Sequence, residues 1–469
     1  MAENSAEWPK QAGEFVGSST SYASSDVAER LQFQVSLLPE TLKQAFDHIP
    51  FYGRFWSGID VSGIRSIEDL SVLPILTKRE IECSLDLLRP DLEPRLLIHT
   101  SGTTDRQFVR YRSREEQDVM WLLGTRLARI DSARHPKPRV VFTTMSELFH
   151  GSAVRVPSSA YRVSIAVNSR WLLDSAVDLI TREPTMPGLQ GAAKELHGRP
   201  RQLTVLAHAL SAKVSSDTLT AVTSVSVVGM SLQSRTRTFL QKTFPSAEIT
   251  EIYSLSEIIS GACRCGSCGQ FHMDAPVIAE VVDLTSKKPK TAGPGMLVLT
   301  ELYPFSQLQP FIRYETGDIV RACPSACGPG IAFEFLGRQD QTPSAVLEGH
   351  LEVILTPRVF WEVLEDIPEV ARSPAGAGSC PPYDVLPLGF PYATAKTTSR
   401  SGKASLEFDI GVTFSPDLYP ERANDLCQQI VDSLQSKDPQ FNAAIRCGVV
   451  PYVKLHTCDK FPLDMSKGK

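Results

Sequence analysis

The chain has 469 residues, 42% hydrophobic and 22% charged, enough for a large core plus a second, smaller domain. Its formal net charge of -5, with no dominant Lys/Arg run, argues against nucleic acid or an anionic membrane surface as a partner. No apolar run approaches the ~20 residues that span a bilayer, and Met1-Ala2-Glu3-Asn4-Ser5 does not read as a signal peptide, so the expected location is the cytoplasm.

Residues 1–30 are rich in Ser, Ala and Glu and predict a flexible N-terminal arm. Leu42, Ala45 and Phe46 are spaced for a short helix from Pro39 to Asp47, with Pro39 in its first turn and Pro50 stopping it. The apolar run Leu96-Leu97-Ile98 leads into Thr100-Ser101-Gly102-Thr103-Thr104. Successive backbone N–H groups and hydroxyls in such a loop suit a polyphosphate. Strand-like runs at Arg139–Thr143, Ser224–Val228 and Met296–Leu299 alternate with amphipathic segments, which predicts a layered α/β domain over residues 31–337. Within it, Tyr253-Ser254-Leu255-Ser256-Glu257 offers an aromatic face and a carboxylate four residues apart. Arg313-Tyr314-Glu315-Thr316-Gly317-Asp318 sets a carboxylate beside a glycine, where it can accept two hydrogen bonds from a ribose diol with Arg313 nearby.

A boundary is expected at Gly337-Arg338-Gln339-Asp340. Beyond it lie irregular Pro/Gly/Ser-rich stretches at about 372–391 and 395–403, a strand-like run Ser405–Ile410, a helical pattern from Pro420 to Leu434, and a second strand-like run Val449–Lys454. That β-α-β order suits a small α+β lid domain over residues 338–469.

Five of the 10 cysteines lie in two short groups, Cys263-Arg264-Cys265-Gly266-Ser267-Cys268 with His272 beyond, and Cys323-Pro324-Ser325-Ala326-Cys327. Without a secretory signal such grouping favours a metal over disulfides, and a closed Cys/His site points to structural Zn²⁺.

Taken in order, Thr-Ser-Gly-Thr-Thr, Tyr-x-x-Ser-Glu, Arg-Tyr-x-Thr-Gly-Asp and Gly-Arg-Gln-Asp resemble the signature series of the adenylate-forming superfamily of acyl-CoA synthetases, adenylation domains and luciferases. Ile49-Pro50-Phe51-Tyr52-Gly53, Leu73-Pro74-Ile75-Leu76-Thr77-Lys78 and Gly295–Thr300 add a narrower likeness to the phenylacetate-CoA ligase family and its deazaflavin-adenylating relatives. The likeness runs from about residue 35 to the C-terminus.

The resemblance implies a large α/β adenylation domain and a mobile α+β lid. It implies ATP, Mg²⁺ and CoA as cofactors, with a carboxylic acid, expected to be aromatic, as substrate. Ser101, Gly102, Thr103 and Thr104 would hold the phosphates, Asp318 the ribose hydroxyls and Tyr253 the adenine, with Gly229, Ser256 and Arg313 close by and Glu257 binding Mg²⁺. In the phosphate loop Asp105 stands where the family has Gly, and its repulsion of a triphosphate calls for Arg106, Arg110 or Mg²⁺ to compensate. The C-terminal Pro462–Lys469 segment resembles the superfamily's lysine motif. Lys469 would reach the α-phosphate and carboxylate, with Lys467 as the fallback. Arg338 and Asp340 mark the lid hinge, and Gly349 would line the thiol entry. Cys265, His272, Cys323 and Cys327 best match the family's metal pattern, with Cys263 and Cys268 as alternates. Phe149, His150, Gly151 and Ser231 fall where the acyl group would sit. Phe142 and Trp171 suit either an aryl pocket or the core.

Three readings stay open at this point. One is a ligase that passes the acyl group to CoA, a carrier thiol or an amine. The others are an adenylyltransferase acting on a cofactor such as a deazaflavin, and a nucleotide-binding protein that has lost turnover. Monomer or homodimer is expected.

Overall fold

A computed structural model describes residues 27–99, 109–127, 139–144, 160–167, 169–214, 216–324, 327, 330–372, 391–400 and 402–457. The chain enters as a 22-residue helix, α1 (Val27–His48), that runs straight through Pro39. The expected short helix is therefore the second half of a longer one, and Val27–Arg30 belong to it rather than to the arm. Its buried face, Gln34, Leu38, Thr41, Leu42 and Ala45, repays the hydrogen bond lost at the proline. Gln34 donates to the Val277 carbonyl at 2.8 Å, and Arg30 donates to the Met273 carbonyl at 2.9 Å. Pro50 starts a new helical turn, Pro50–Phe55, at its first position, where a missing N–H costs nothing.

Next come β1 (Leu96–His99) and β2 (Val109–Arg112), an antiparallel pair, and then α2 (Arg114–Leu127). The doubly wound part follows as β3 (Arg139–Thr143), β4 (Ala160–Ser164), α3 (Arg170–Thr181), β5 (Ala193–Gly198), α4 (Pro200–Lys213), β6 (Val222–Val228), α5 (Ser234–Thr243) and β7 (Glu248–Tyr253). These strands pair in parallel in the order β4-β3-β5-β6-β7. From β7 the sheet turns antiparallel through β8 (Ala262–Arg264) and β9 (Phe271–Met273), then on to β10 (Val277–Val282), β11 (Gly293–Glu301), β12 (Tyr314–Pro324) and β13 (Ile331–Arg338). The eleven strands lie in the order β10-β11-β12-β13-β9-β8-β7-β6-β5-β3-β4. One apolar cluster packs α1 and the Pro50–Phe55 helix against the antiparallel half, and a second packs α3, α4 and α5 on the parallel half.

The C-terminal part begins with a hairpin, β14 (Ser344–Leu347) and β15 (His350–Val353), closed by Glu348 and Gly349 at φ 52° and 86°. A two-residue turn with both φ values positive is the kind that Gly serves best, which accounts locally for Gly349. Then come α6 (Pro357–Glu365), β16 (Ala393–Arg400), β17 (Lys403–Val412), α7 (Pro420–Lys437), α8 (Pro439–Arg446) and β18 (Val450–Thr457). β17 pairs in parallel with β18 across α7 and α8, the expected β-α-β unit. The stretch 395–403, expected to be irregular, is instead mostly strand. Thr394, Thr397 and Thr398 favour the pleat, and Gly402 turns the chain at φ 76°. Among the described residues no helix is long and apolar enough to cross a membrane.

Candidate functional site

The Thr-Gly-Asp segment is not a free turn but the middle of β12. Gly317 breaks the strand's regularity at φ 75°, and a Cβ there would meet the Arg338 guanidinium at 3.3 Å. Thr316 fixes the kink: its hydroxyl donates to the Leu297 carbonyl at 2.8 Å and accepts from the Asp318 N–H at 3.1 Å. The Asp318 carboxylate, 1% exposed, is thereby aimed at the end of β7. There the Tyr253 hydroxyl donates to its Oδ2 at 2.7 Å, and Arg338, paired with Asp318 in the register of β12 and β13, donates to Oδ1 at 2.6 Å. Burial pushes the Asp318 carboxyl above its ordinary value, against the pull of Arg338 and Tyr253. Burial lowers Arg338, but Asp318 more than offsets it and holds the guanidinium firmly charged.

A second link runs crosswise between the same two motifs. The Tyr314 hydroxyl donates to Glu257 Oε1 at 3.1 Å, and the neighbouring Ser256 hydroxyl reaches Oε2 at 3.2 Å. Glu257 is 4% exposed. Burial and then Glu257 raise the Tyr314 phenol well above its ordinary range, so it stays a donor. Each carboxylate oxygen keeps a further lone pair, so this pair of acids can accept a diol at Asp318 and a cation at Glu257.

Tyr253, at the carboxyl end of the last parallel strand, packs edge-on to Phe333 at 5.4 Å between ring centroids, with Phe335 and Phe271 at 6.0 and 6.3 Å. Gly229, just past β6, has φ 80°, a Cβ there would meet Arg199 Nε at 3.6 Å, and Ser231 is half-buried two residues on. Open α/β sheets bind ligands at these carboxyl ends.

Arg313 is not brought to Asp318. Its guanidinium forms a two-pronged buried pair with Glu280 at 3.0 and 3.1 Å and donates to the Leu73 carbonyl, tying β12 to β10 and to the Leu73–Lys78 segment. Arg110 is equally committed: it grips Glu301 at 3.0 and 2.5 Å, donates to Ser306, and lies 4.1 Å over the Phe311 ring. It is not free to compensate Asp105. Phe142 is a core residue, whereas Trp171 is 70% exposed. Thr100–Arg106, Phe149, His150, Gly151, Lys467 and Lys469 lie outside the described residues. Sequence reasoning passed over Thr316 and Tyr314 as site residues. Their side chains matter through the fold's cross-links, which no local pattern announces.

The cysteines converge differently from expectation. Cys265, Cys268, His272 and Cys327 have ligand atoms all within 4.8 Å of one another. Cys323 is not among them: its Sγ turns to the Arg321 carbonyl at 3.5 Å, and Cys268, one of the alternates, takes its place. Cys263 points at the Arg264 carbonyl at 3.7 Å. The reason is the tight β8–β9 connection. The Cys265 N–H donates to the Gln270 carbonyl and the Gly269 N–H to the Cys265 carbonyl, which brings Cys265 and Cys268 to one side of the hairpin tip. Cys265 and Cys327 are 3.7 Å apart, Sγ to Sγ, too far for a disulfide and close to the ~3.8 Å between two thiolates on tetrahedral Zn²⁺. Cys268 Sγ lies 3.1 Å from His272 Nε2. Burial, helped by the Arg30 charge, holds His272 down to about 4, in the neutral form a metal needs. Burial opposes ionisation of Cys265, but N–H groups of Cys268 and Ser267 outweigh it and bring the thiol down to about 7. A pocket of about 400 Å³ opens beside this hairpin rather than at Asp318, lined by Arg237, Glu251, Arg264, Cys265 and Arg358 among others.

No protein-family model matches the chain. In sequence it is similar to a phenylacetate-coenzyme A ligase of Thermus thermophilus, at 26% identity over 362 residues covering 72% of this chain and 75% of the relative. In fold it is similar to an open conformation of 2-hydroxyisobutyryl-CoA ligase in complex with 2-HIB-AMP and CoA. That match has a TM-score of 0.64 and 17% identity, and covers 93% of this chain and 89% of the other. A benzoate CoA ligase from Burkholderia xenovorans LB400 shares the fold at TM-score 0.51 and 13% identity, over 81% of this chain and 68% of the other.

Proposed function

We propose that this phenylacetate-CoA ligase-like chain of the adenylate-forming fold is an ATP-dependent ligase that activates a carboxylic acid as an acyl-adenylate and transfers the acyl group to CoA. The observation that carries the reading is the crosswise pairing of Tyr253 with Asp318 and of Tyr314 with Glu257 at the carboxyl end of β7. It supports the reading because Asp318 would then offer a diol acceptor and Glu257 a cation acceptor on two linked segments, as a Mg²⁺-nucleotide requires.

In the first half-reaction a carboxylate oxygen of the acid bonds to the α-phosphorus. The bond from that phosphorus to the β-phosphate's bridging oxygen breaks, and the electron pair leaves with pyrophosphate. The protein's part is positioning and charge neutralisation. Asp318, beside the Arg338 charge, would take the ribose hydroxyls, Glu257 would hold Mg²⁺ and so neutralise charge on the phosphates, and Thr100–Thr104 and Lys469 would act on the phosphates. Tyr253, whose hydroxyl is engaged by Asp318, offers its ring to the adenine. In the second half-reaction the CoA sulfur bonds to the acyl carbon, AMP leaves with the electron pair, and the thiol proton passes to solvent. An aryl acid is the substrate class we favour, from the sequence likeness to a phenylacetate ligase. The C-terminal domain turns about Arg338–Asp340 between the two steps. The Cys265, Cys268, His272 and Cys327 cluster would hold a structural Zn²⁺, which would pin the β8–β9 hairpin to Cys327 beyond β12.

The deciding experiment incubates the protein with Mg-ATP and pooled aryl acids, with CoA, with hydroxylamine and with neither, and identifies products by mass. An acyl-CoA from at least one acid is expected. Hydroxamates without acyl-CoA would move the acceptor away from CoA, AMP retained in the final product would indicate an adenylyltransferase, and no pyrophosphate release would leave a nucleotide binder.

A further inference from the structure

Arg112, the last residue of β2, is 0% exposed, and among the described residues none of its three guanidinium nitrogens has a hydrogen-bond partner. An ionised group buried without a partner costs several kcal/mol, so native structures keep one only where something completes it. The same strand shows what completion looks like. Arg110, two residues earlier and so on the same face of β2, spends its guanidinium on Glu301, Ser306 and the Gln309 carbonyl.

The carboxylates around Arg112 are already engaged. Glu301 also accepts the Ile259 N–H at 2.7 Å and the Phe311 N–H at 3.0 Å. Glu116 accepts the N–H groups of Ser113, Gln307 and Leu308. Glu257, two residues before Ile259, holds Tyr314 and Ser256 and is the proposed cation ligand. Burial and then the Arg110 charge lower the Arg112 guanidinium to about 10, while Glu301, Glu116 and Glu257 support it, so it stays cationic at neutral pH.

We propose that Arg112 is an oxyanion-binding residue of this site, left without a partner among the described residues so that the polyphosphate of the nucleotide completes it. The inference rests on the ligase reading above. Arg110, on the same face of β2, grips Glu301, which accepts the N–H of Ile259, two residues past Glu257; this link to the proposed cation ligand favours polyphosphate over the acid's carboxylate, because a cation held by Glu257 and a guanidinium at Arg112 would face the same phosphate chain. A planar guanidinium matches two phosphate oxygens at once. When the α–β phosphoanhydride breaks and the electron pair departs with pyrophosphate, Arg112 would meet the charge that develops on the leaving group.

The test compares wild type with Arg112→Met and Arg112→Lys, using inorganic pyrophosphate with Mg²⁺ as the binding probe and ATP–pyrophosphate exchange as the activity. Pyrophosphate should raise the melting temperature of wild type but not of Arg112→Met. The KM for ATP should rise roughly ten- to a hundredfold in Arg112→Met, with partial recovery in Arg112→Lys. Ligand-free Arg112→Met should melt at or above the wild-type temperature, because an unpartnered charge has been removed. A lower ligand-free melting temperature with the pyrophosphate shift intact would make Arg112 structural and overturn the proposal. So would a raised KM for the acid with that for ATP unchanged, or the absence of any pyrophosphate shift in wild type. Failure of wild type to exchange pyrophosphate with any acid, with its Arg112-dependent shift retained, would count against the ligase reading and not against this one.

Discussion

Asp318 combines a structural and a functional demand on one side chain. Its two oxygens neutralise the half-buried Arg338 and satisfy the Tyr253 hydroxyl, so removing it exposes the fold and the site to different losses. Asp318→Ala should destabilise the protein by about 3 kcal/mol, because Arg338 is left uncompensated, and should raise the KM for ATP by at least roughly tenfold by loss of charged hydrogen bonds. Tyr253→Phe should cost only about 1 kcal/mol, since the ring still packs on Phe271, Phe333 and Phe335. Denaturant melts and ATP kinetics on both variants check this, and an unaltered KM in folded Asp318→Ala would sink the ribose assignment. The sequence singles out Asp318, Glu257 and Tyr253 by residue type and order, and the fold links the segments that carry them through the Tyr253–Asp318 and Tyr314–Glu257 hydrogen bonds. Arg313 was misjudged for the same reason. Proximity in sequence to Asp318 suggested proximity in space, yet Arg313 sits at φ 54° and its guanidinium goes to Glu280 on another strand. Arg112 was not legible at all, because lack of a partner is a property of the surroundings and not of the residue.

The β8–β9 hairpin shows the same division between composition and geometry. Clustered cysteines announced a metal-type site, but which thiols meet depends on the turn that closes between Cys265 and Gln270. It depends also on the end of β12, where Cys327 and not Cys323 faces the hairpin. Cys268→Ser should therefore lower zinc content well below about one per chain and lower the melting temperature, because closed sites contribute folding free energy. Cys323→Ser should change neither by much. Metal analysis and thermal melts on protein prepared without chelator decide it, and equal zinc loss in the two variants would return Cys323 to the ligand set. The helix through Pro39 and the strand over Ala393–Arg400 make the complementary point. Local breakers and polar composition suggested an end and a loop, and packing against the 273–277 segment and pairing with β17 overrode them.

At the scale of the whole chain, the β14–β15 hairpin holds the two parts together with opposite faces. Val353 and Leu351 join an apolar cluster with Val282, Met296, Val298, Ile319 and Leu336 of the large sheet, while Ala345 and Leu347 pack with the C-terminal core. The described polar links between the two parts are single hydrogen bonds and one ion pair, each worth roughly 1 kcal/mol. The Leu351 N–H donates to Thr285 at 2.8 Å, Ser234 to Glu362 at 3.2 Å, Arg321 to Gln440 at 2.5 Å and Arg235 to the Glu365 carbonyl at 2.5 Å, and Arg358 pairs with Glu334 at 3.5 Å. Any turn of the C-terminal part about Arg338–Asp340 would therefore have to part both the apolar contact and these polar links. A covalent tie there should hold one arrangement and forbid the other. Cysteines placed by Thr285→Cys and Leu351→Cys and joined by a short thiol-reactive crosslinker should leave one half-reaction near wild-type rate. The other should fall by roughly two orders of magnitude, since a misplaced lid forfeits positioning. Pyrophosphate release reports the first half-reaction and conversion of supplied acyl-adenylate to acyl-CoA the second, with each single-cysteine variant treated alike to discount the native thiols. If the tied protein runs both half-reactions at full rate, the lid does not need to move and the hinge at Arg338–Asp340 is only a connection. If it loses one alone, the arrangement seen here is assigned to the other by which product still forms.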